Sequence, residues 1–211
     1  MTKLFGHIFL KLFGWKTAGE YPRADKFVLL AAPHTSNWDL AFMIAISFVY
    51  GVRLRWMGKH TLFTPPFGYF MRWLGGLPIE RHKRSNMVHK MIEHFENNAK
   101  LALTIPPEGT RKRSEYWKSG FYRIAQGANV PVIPCFLDYK NKSGGLGPAI
   151  NLSDNLTLDM DKFRAFYADK TAKFPRNFAV PRLREEELQA IQPSSVASTE
   201  SSCGLSSDSN R

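Results

Sequence analysis

The sequence predicts a single α/β domain: a mostly parallel, mixed sheet with helices on both faces, preceded by an amphipathic N-terminal helix. Three observations predict it. Apolar runs of strand length at 27–32, 101–105 and 130–139 alternate with stretches of helical periodicity, the order that builds a sheet covered on both sides. The first two runs end in proline, at Pro33 and Pro106-Pro107 respectively, where connections begin. The chain has 211 residues, 44% of them hydrophobic, enough for one core of ordinary size.

The elements follow in order. Residues 3–16 place Lys3, His7 and Lys11 four residues apart as a narrow basic stripe, while Leu4, Phe5, Ile8, Phe9, Leu12, Phe13 and Trp15 cover the remainder. A helix with a wide aromatic face and a basic stripe suits the headgroup region of a bilayer; its other reading is a helix packed on the domain's own core. Phe27 to Ala32 reads as a buried strand, followed by a turn and a helix whose first turn holds Ser36, Asn37 and Asp39 and which continues through the apolar run Leu40–Val52. Arg53 to Met57 reads as a strand, Phe67 to Leu74 as a short aromatic helix ending at Gly75-Gly76, and Leu77 to Arg81 as a strand. From Ser85, Met87, Val88, Met91, Ile92 and Phe95 fall on one helical face. Leu101 to Ile105 is a buried strand, Phe121 to Gln126 a short helix, and Val130 to Tyr139 a further strand. Asn155 to Leu158 reads as a strand and Met160 to Ala168 as a helix. The organisation expected is a membrane-associating helix at 1–18, the α/β domain at 19–190, and a Ser-rich disordered tail at 191–211.

Composition narrows the partners. A net charge of +11, from 29 Lys+Arg against 18 Asp+Glu, favours an anionic one: nucleic acid, an anionic membrane surface or a phosphorylated substrate. Cys135 lies in an apolar run and Cys203 in a polar stretch, so no disulfide framework is expected, which fits a reducing compartment. The longest uncharged apolar stretch, Leu40 to Val52, is 13 residues, short of the ~20 that span a bilayer. Lys11 interrupts the early apolar segment and no small-residue cleavage site follows, so no signal peptide is expected. These features predict a peripheral or monotopic protein on the cytoplasmic face of a membrane.

The chemistry is concentrated at three strand ends. At the first, His34 and Asp39 are five residues apart. If a turn precedes the helix, Asp39 folds back onto the imidazole, fixes its tautomer and leaves the other nitrogen free to take a proton. The alternative is a His capping a strand and an Asp capping a helix. Glu80-Arg81 follows the strand at 77–79, and Glu108-Gly109-Thr110-Arg111 follows the strand at 101–105. Ligands gather at the carboxyl ends of parallel strands; on one rim, Arg81 and Arg111 could grip a phosphate as bidentate donors while Gly109 allows close approach. Taken singly, either Arg reads as a solvated cation and Glu108 as its ion-pair partner. The sequence has no Gly-x-Ser-x-Gly elbow and no His-Glu-x-x-His pair, which argues against a serine hydrolase or a zinc enzyme. The basic residues make no known nucleic-acid recognition motif, although a basic nucleic-acid-binding module stands as the alternative of another class.

These residues form four ordered blocks: His34 to Asp39, Gly76 to Arg81, Pro107-Glu108-Gly109-Thr110-Arg111, and Val130-Pro131-Val132-Ile133-Pro134. The set resembles the glycerolipid acyltransferase family typified by 1-acyl-sn-glycerol-3-phosphate acyltransferase, over residues 34–134. The resemblance implies acyl transfer from acyl-CoA or acyl carrier protein to the free hydroxyl of a lysophospholipid. It implies His34 as general base, Asp39 orienting it, and Arg81, Glu108, Gly109, Thr110 and Arg111 around the acceptor's phosphate and glycerol. No metal and no cofactor beyond the donor substrate are implied. Pro106 stands where the family usually has Phe, and the acceptor is left open. Lysophosphatidic acid, giving phosphatidic acid, is the default, with glycerol-3-phosphate, another lysophospholipid and a lyso-aminolipid as alternatives.

Overall fold

One seven-stranded sheet runs through the molecule in the order β1-β7-β6-β2-β5-β3-β4. The structure is a computed structural model that describes residues 2–20, 22–79 and 85–191. In chain order the elements are α1 (Thr2–Leu12), β1 (Lys16–Ala18), β2 (Lys26–Ala31), α2 (Trp38–Tyr50), β3 (Leu54–Lys59), a 3-10 turn (His60–Phe63), α3 (Phe67–Trp73) and β4 (Gly76–Ile79). They continue with α4 (Ser85–Glu96), β5 (Leu101–Ile105), α5 (Gly120–Gly127), β6 (Val132–Asp138), β7 (Ser143–Leu146), α6 (Leu156–Tyr167), a 3-10 turn (Pro175–Asn177) and α7 (Arg184–Ile191). Strands β6, β2, β5, β3 and β4 are mutually parallel, while β7 pairs antiparallel with β6 and carries β1 beside it. The sheet is therefore mostly parallel and mixed, as expected.

The centre of the sheet is apolar on both sides. Val28 and Leu30 of β2 face one layer with Leu101, Leu103 and Ile105 of β5, where Phe95 of α4, Phe121 and Ile124 of α5, and Met160, Phe163 and Tyr167 of α6 cover them. Phe27 and Leu29 face the other layer with Ala102, Ile133 and Cys135, next to Met43 and Tyr50 of α2. Burying both faces explains the unbroken apolar runs of β2 and β5.

Where expectation and structure differ, the reason is local. Residues 155–158 are not a strand: Asn155 accepts the Leu158 N–H at 3.1 Å and caps α6, a hydrogen bond that favours a helix start over an extended segment. Strands β1 and β7 have no apolar signature because they sit at an edge, where glycine permits the pairing; a Cβ on Gly145 would overlap the Ala18 carbonyl. The helix expected to hold Ser36, Asn37 and Asp39 in its first turn starts at Trp38, with Asn37 as its cap, and closes at Gly51, in the left-handed region with φ 73°, a helix-ending conformation suited to glycine. Arg81, Glu80 and the Ser-rich stretch from 192 lie outside the described residues.

The N-terminal helix packs on the domain along one side and leaves the other side exposed. Gly6 and Leu10 are buried, with Gly6 against the Ala45 backbone of α2, while Leu4, Phe5, Ile8 and Leu12 remain exposed. No helix among the described residues is long and apolar enough to cross a membrane.

Candidate active site

His34 and Asp39 meet. Beyond the end of β2 the chain turns through Pro33 to Asn37 before α2 begins, and the turn returns Asp39 to the imidazole. His34 Nδ1 lies 3.3 Å from Asp39 Oδ2. The same oxygen accepts the backbone N–H groups of Thr35 and Ser36, each at 2.8 Å. Asp39 thus ties the turn and aims the ring with one carboxylate, leaving His34 Nε2 as the free nitrogen. Asp39 is 4% exposed and the His34 side chain 26%, so the orienting group is sheltered and the imidazole is accessible.

Tyr139, absent from the sequence-based candidates, completes the carboxylate. Its phenol donates to Asp39 Oδ1 at 2.6 Å across 100 positions of sequence. The residue follows β6, and its ring packs edge-on against Trp15 and Phe42. Burial, then the hydrogen bond to Asp39, raise the phenol well above its ordinary value, so it stays a donor. No motif signals such a partner; only the adjacency of β6 to β2 brings it here.

Glu108, expected at the acceptor, is buried against the His34 backbone. It is 3% exposed, and its two oxygens lie 3.2 and 3.0 Å from the backbone nitrogen of His34, whose N–H donates to them. Burial pushes its carboxyl up to about 8, opposed by the His34 hydrogen bond and reinforced by the charge of Asp39. The carboxylic acid is the form this environment favours near neutrality.

The remaining residues of that block open onto a cavity. Gly109, in the left-handed region with φ 67°, turns the chain so that Gly109, Thr110 and Arg111 line it together with His34 and Asp39. The cavity has a volume of about 830 Å³. It runs from this rim down the α2 face of the sheet, past Ala31, Leu29 and Phe27, with Met43, Ile46 and Val52 opposite. At ~3.3 Å per strand residue, the four steps from Ala31 to Phe27 make roughly 13 Å of apolar wall. Among the described residues no group of His, Cys, Asp and Glu could hold a metal ion.

This fold, with a His–Asp pair at the rim of a parallel sheet above an apolar slot, defines a class, and comparison with known proteins agrees. A family model described as Acyltransferase matches residues 16–138. The chain belongs to the acyltransferase family. It is 29% identical over 143 residues to a 1-acyl-sn-glycerol-3-phosphate acyltransferase of Haemophilus influenzae, covering 64% of this chain and 58% of that one. It is 30% identical over 118 residues to the protein of the same name from Streptococcus pneumoniae, covering 54% and 42% respectively. The chain thus spans about half the length of these curated relatives. The fold is also that of the crystal structure of the 1-acyl-sn-glycerophosphate (LPA) acyltransferase PlsC from Thermotoga maritima, with a TM-score of 0.54 at 17% identity over 77% of this chain and 73% of the other.

Proposed function

We propose that the protein transfers an acyl chain from a thioester, acyl-CoA or acyl carrier protein, to the free hydroxyl of a lysophospholipid, with 1-acyl-sn-glycerol-3-phosphate as the first acceptor to test. One observation carries the reading: a carboxylate-steered imidazole stands at the mouth of an apolar cavity long enough to shelter a fatty chain. His34 Nε2 takes the acceptor's hydroxyl proton while Asp39 holds the ring and stabilises the imidazolium. The alkoxide adds to the thioester carbonyl. Collapse of the tetrahedral adduct breaks the C–S bond, and the departing thiolate takes the proton back from His34. No acyl-enzyme is required.

Arg111, exposed on the rim with Gly109 and Thr110, is the phosphate-binding group in this scheme, and the family resemblance implies Arg81 as its partner. Glu108 acts from below by holding the His34 backbone. The exposed apolar side of α1 supports a membrane-bound rim, where the lysophospholipid acceptor resides; Lys3 and Lys11 supply the attraction to anionic lipid.

The test is a thiol-release assay with purified protein, a panel of lyso-acceptors and both donor types. A general base is worth roughly 10²–10⁴-fold in rate. His34→Ala is therefore expected to lose at least 10²-fold in kcat with an unchanged melting temperature. Retention of most of the activity would overturn the assignment of the base.

A further inference from the structure

Beyond α1, a second apolar face is exposed. The helix α3 leaves Phe67, Tyr69, Phe70 and Trp73 between 50% and 70% exposed, four large aromatic side chains within seven residues. The face is continuous with that of α1. Phe67 touches Phe70, Phe70 stacks on Trp73, Trp73 meets Phe48 of α2, and Phe48 meets Phe5 of α1. The inner side of α3 packs through Met71 against Trp56 and Phe63, and Arg72 donates to the Phe63 carbonyl at 3.2 Å.

Two further features say what covers it. The first is charge. Residues 1–19 and 40–79, which contain α1 and α3, hold no Asp or Glu and seven cations: Lys3, Lys11, Lys16, Arg53, Arg55, Lys59 and Arg72. Every acidic residue of the chain lies outside these two stretches. Aromatic rings carried on stretches that hold cations and no acid complement an anionic bilayer surface. The second is the cavity. Its lining includes Thr61, Leu62 and Phe67, and Leu62 and Phe67 are themselves exposed. The apolar slot and the exposed face therefore share side chains.

We propose that α3 is a second membrane-inserting element, and that the seam between the 3-10 turn and α3 is the doorway through which an acyl chain passes from the bilayer into the cavity. The doorway rests on the acyl-transfer reading; insertion of α3 does not. Rings of this size sink into the headgroup boundary while Lys59 stays with the lipid phosphates. An acyl chain passing under Leu62 and Phe67 then never crosses water.

The full chain is tested in two ways, with the fold checked by circular dichroism and melting. The double variant Phe70→Ser/Trp73→Ser is sedimented with vesicles of phosphatidylglycerol and phosphatidylcholine. The expected result is at least a tenfold weaker partition than the parent, with α1 intact. Tyr69→Asp, at the most exposed position, is expected to weaken binding similarly without affecting the fold. Partition equal to the parent in both variants overturns insertion. A parent dimer that dissociates in the double variant, with vesicle binding unchanged, overturns it in favour of a second copy of the chain. For the doorway, Leu62→Trp/Phe67→Trp is assayed with long-chain and short-chain thioesters. It is expected to raise KM at least fivefold for the long-chain donor alone; an equal effect on both overturns the route. Vesicle binding is read without turnover, so failure of the acyl-transfer reading and failure of insertion are distinguishable.

Discussion

At the scale of single residues, the site is a carboxylate with both oxygens engaged. Asp39 Oδ2 takes two backbone N–H groups and faces the imidazole, and Oδ1 takes the Tyr139 phenol. Removing the phenol returns charge to the carboxylate, which favours the imidazolium. Tyr139→Phe is expected to lower kcat about tenfold, the order found for outer partners of a positioned His, with KM little changed. The acid limb of the kcat–pH profile is expected to move to higher pH. The Trp15 and Phe42 contacts survive this change, so a purely structural role would leave the limb in place. Glu108 supplies a second test. Its carboxyl, raised by burial to about 8 in the folded protein from its ordinary value of 4.5, keeps its proton in the native state where the unfolded chain has lost it. Native stability from this group is therefore full below the unfolded value and declines as pH rises toward 8, by at most about 1.4 kcal/mol per pH unit. Glu108→Gln keeps an acceptor for the His34 N–H and removes the titration. Chemical denaturation between pH 5 and roughly 8.5 is expected to show a flatter dependence in the variant than in the parent.

At the scale of elements, α2 has two duties that its sequence states in different places. Its first residues hold Asp39, and its inward face, Met43 and Ile46, forms one wall of the cavity. Met43 is one turn beyond Asp39 on the same side, so a larger side chain there shortens the slot without touching the base. Met43→Trp is expected to shift the preferred donor toward shorter acyl chains, read as the ratio of kcat/KM for long and short thioesters. The helix α1 is equally divided. Leu10 is 3% exposed and packs with Phe42, Ala45 and Trp15. Leu10→Ala is expected to destabilise the domain by about 2–5 kcal/mol, seen as a lower melting temperature, whereas Ile8→Asp acts on the exposed side and is expected to weaken vesicle binding alone.

At the scale of the whole molecule, charge sets the encounter with lipid. Net charge is +11, and the cations of 1–19 and 40–79 are not offset by acids in those stretches. Screening shortens the reach of such charges from about 10 Å at 0.1 M salt to about 3 Å at 1 M. Sedimentation with anionic vesicles is therefore expected to fall several-fold over that range, while binding to neutral vesicles, governed by the aromatic face, changes little.

The sequence by itself determined the class of fold, the core strands β2 and β5, and the His34–Asp39 pair. Those features are encoded by near neighbours: an apolar run, a turn, a helix start. It also carried Gly109 and Arg111 to the rim, because a parallel strand delivers whatever follows its last residue to the same edge. Only the tertiary structure decided that Glu108 lies beneath His34, that Tyr139 completes Asp39, and that β1 and β7 extend the sheet. Each depends on contacts between residues distant in the chain, as in the 100 positions separating Tyr139 from Asp39, and the hydrogen bond that makes each one leaves no periodic trace. The reason is physical: local patterns report burial and backbone propensity, whereas the partner of a buried polar atom is chosen by which strands lie side by side.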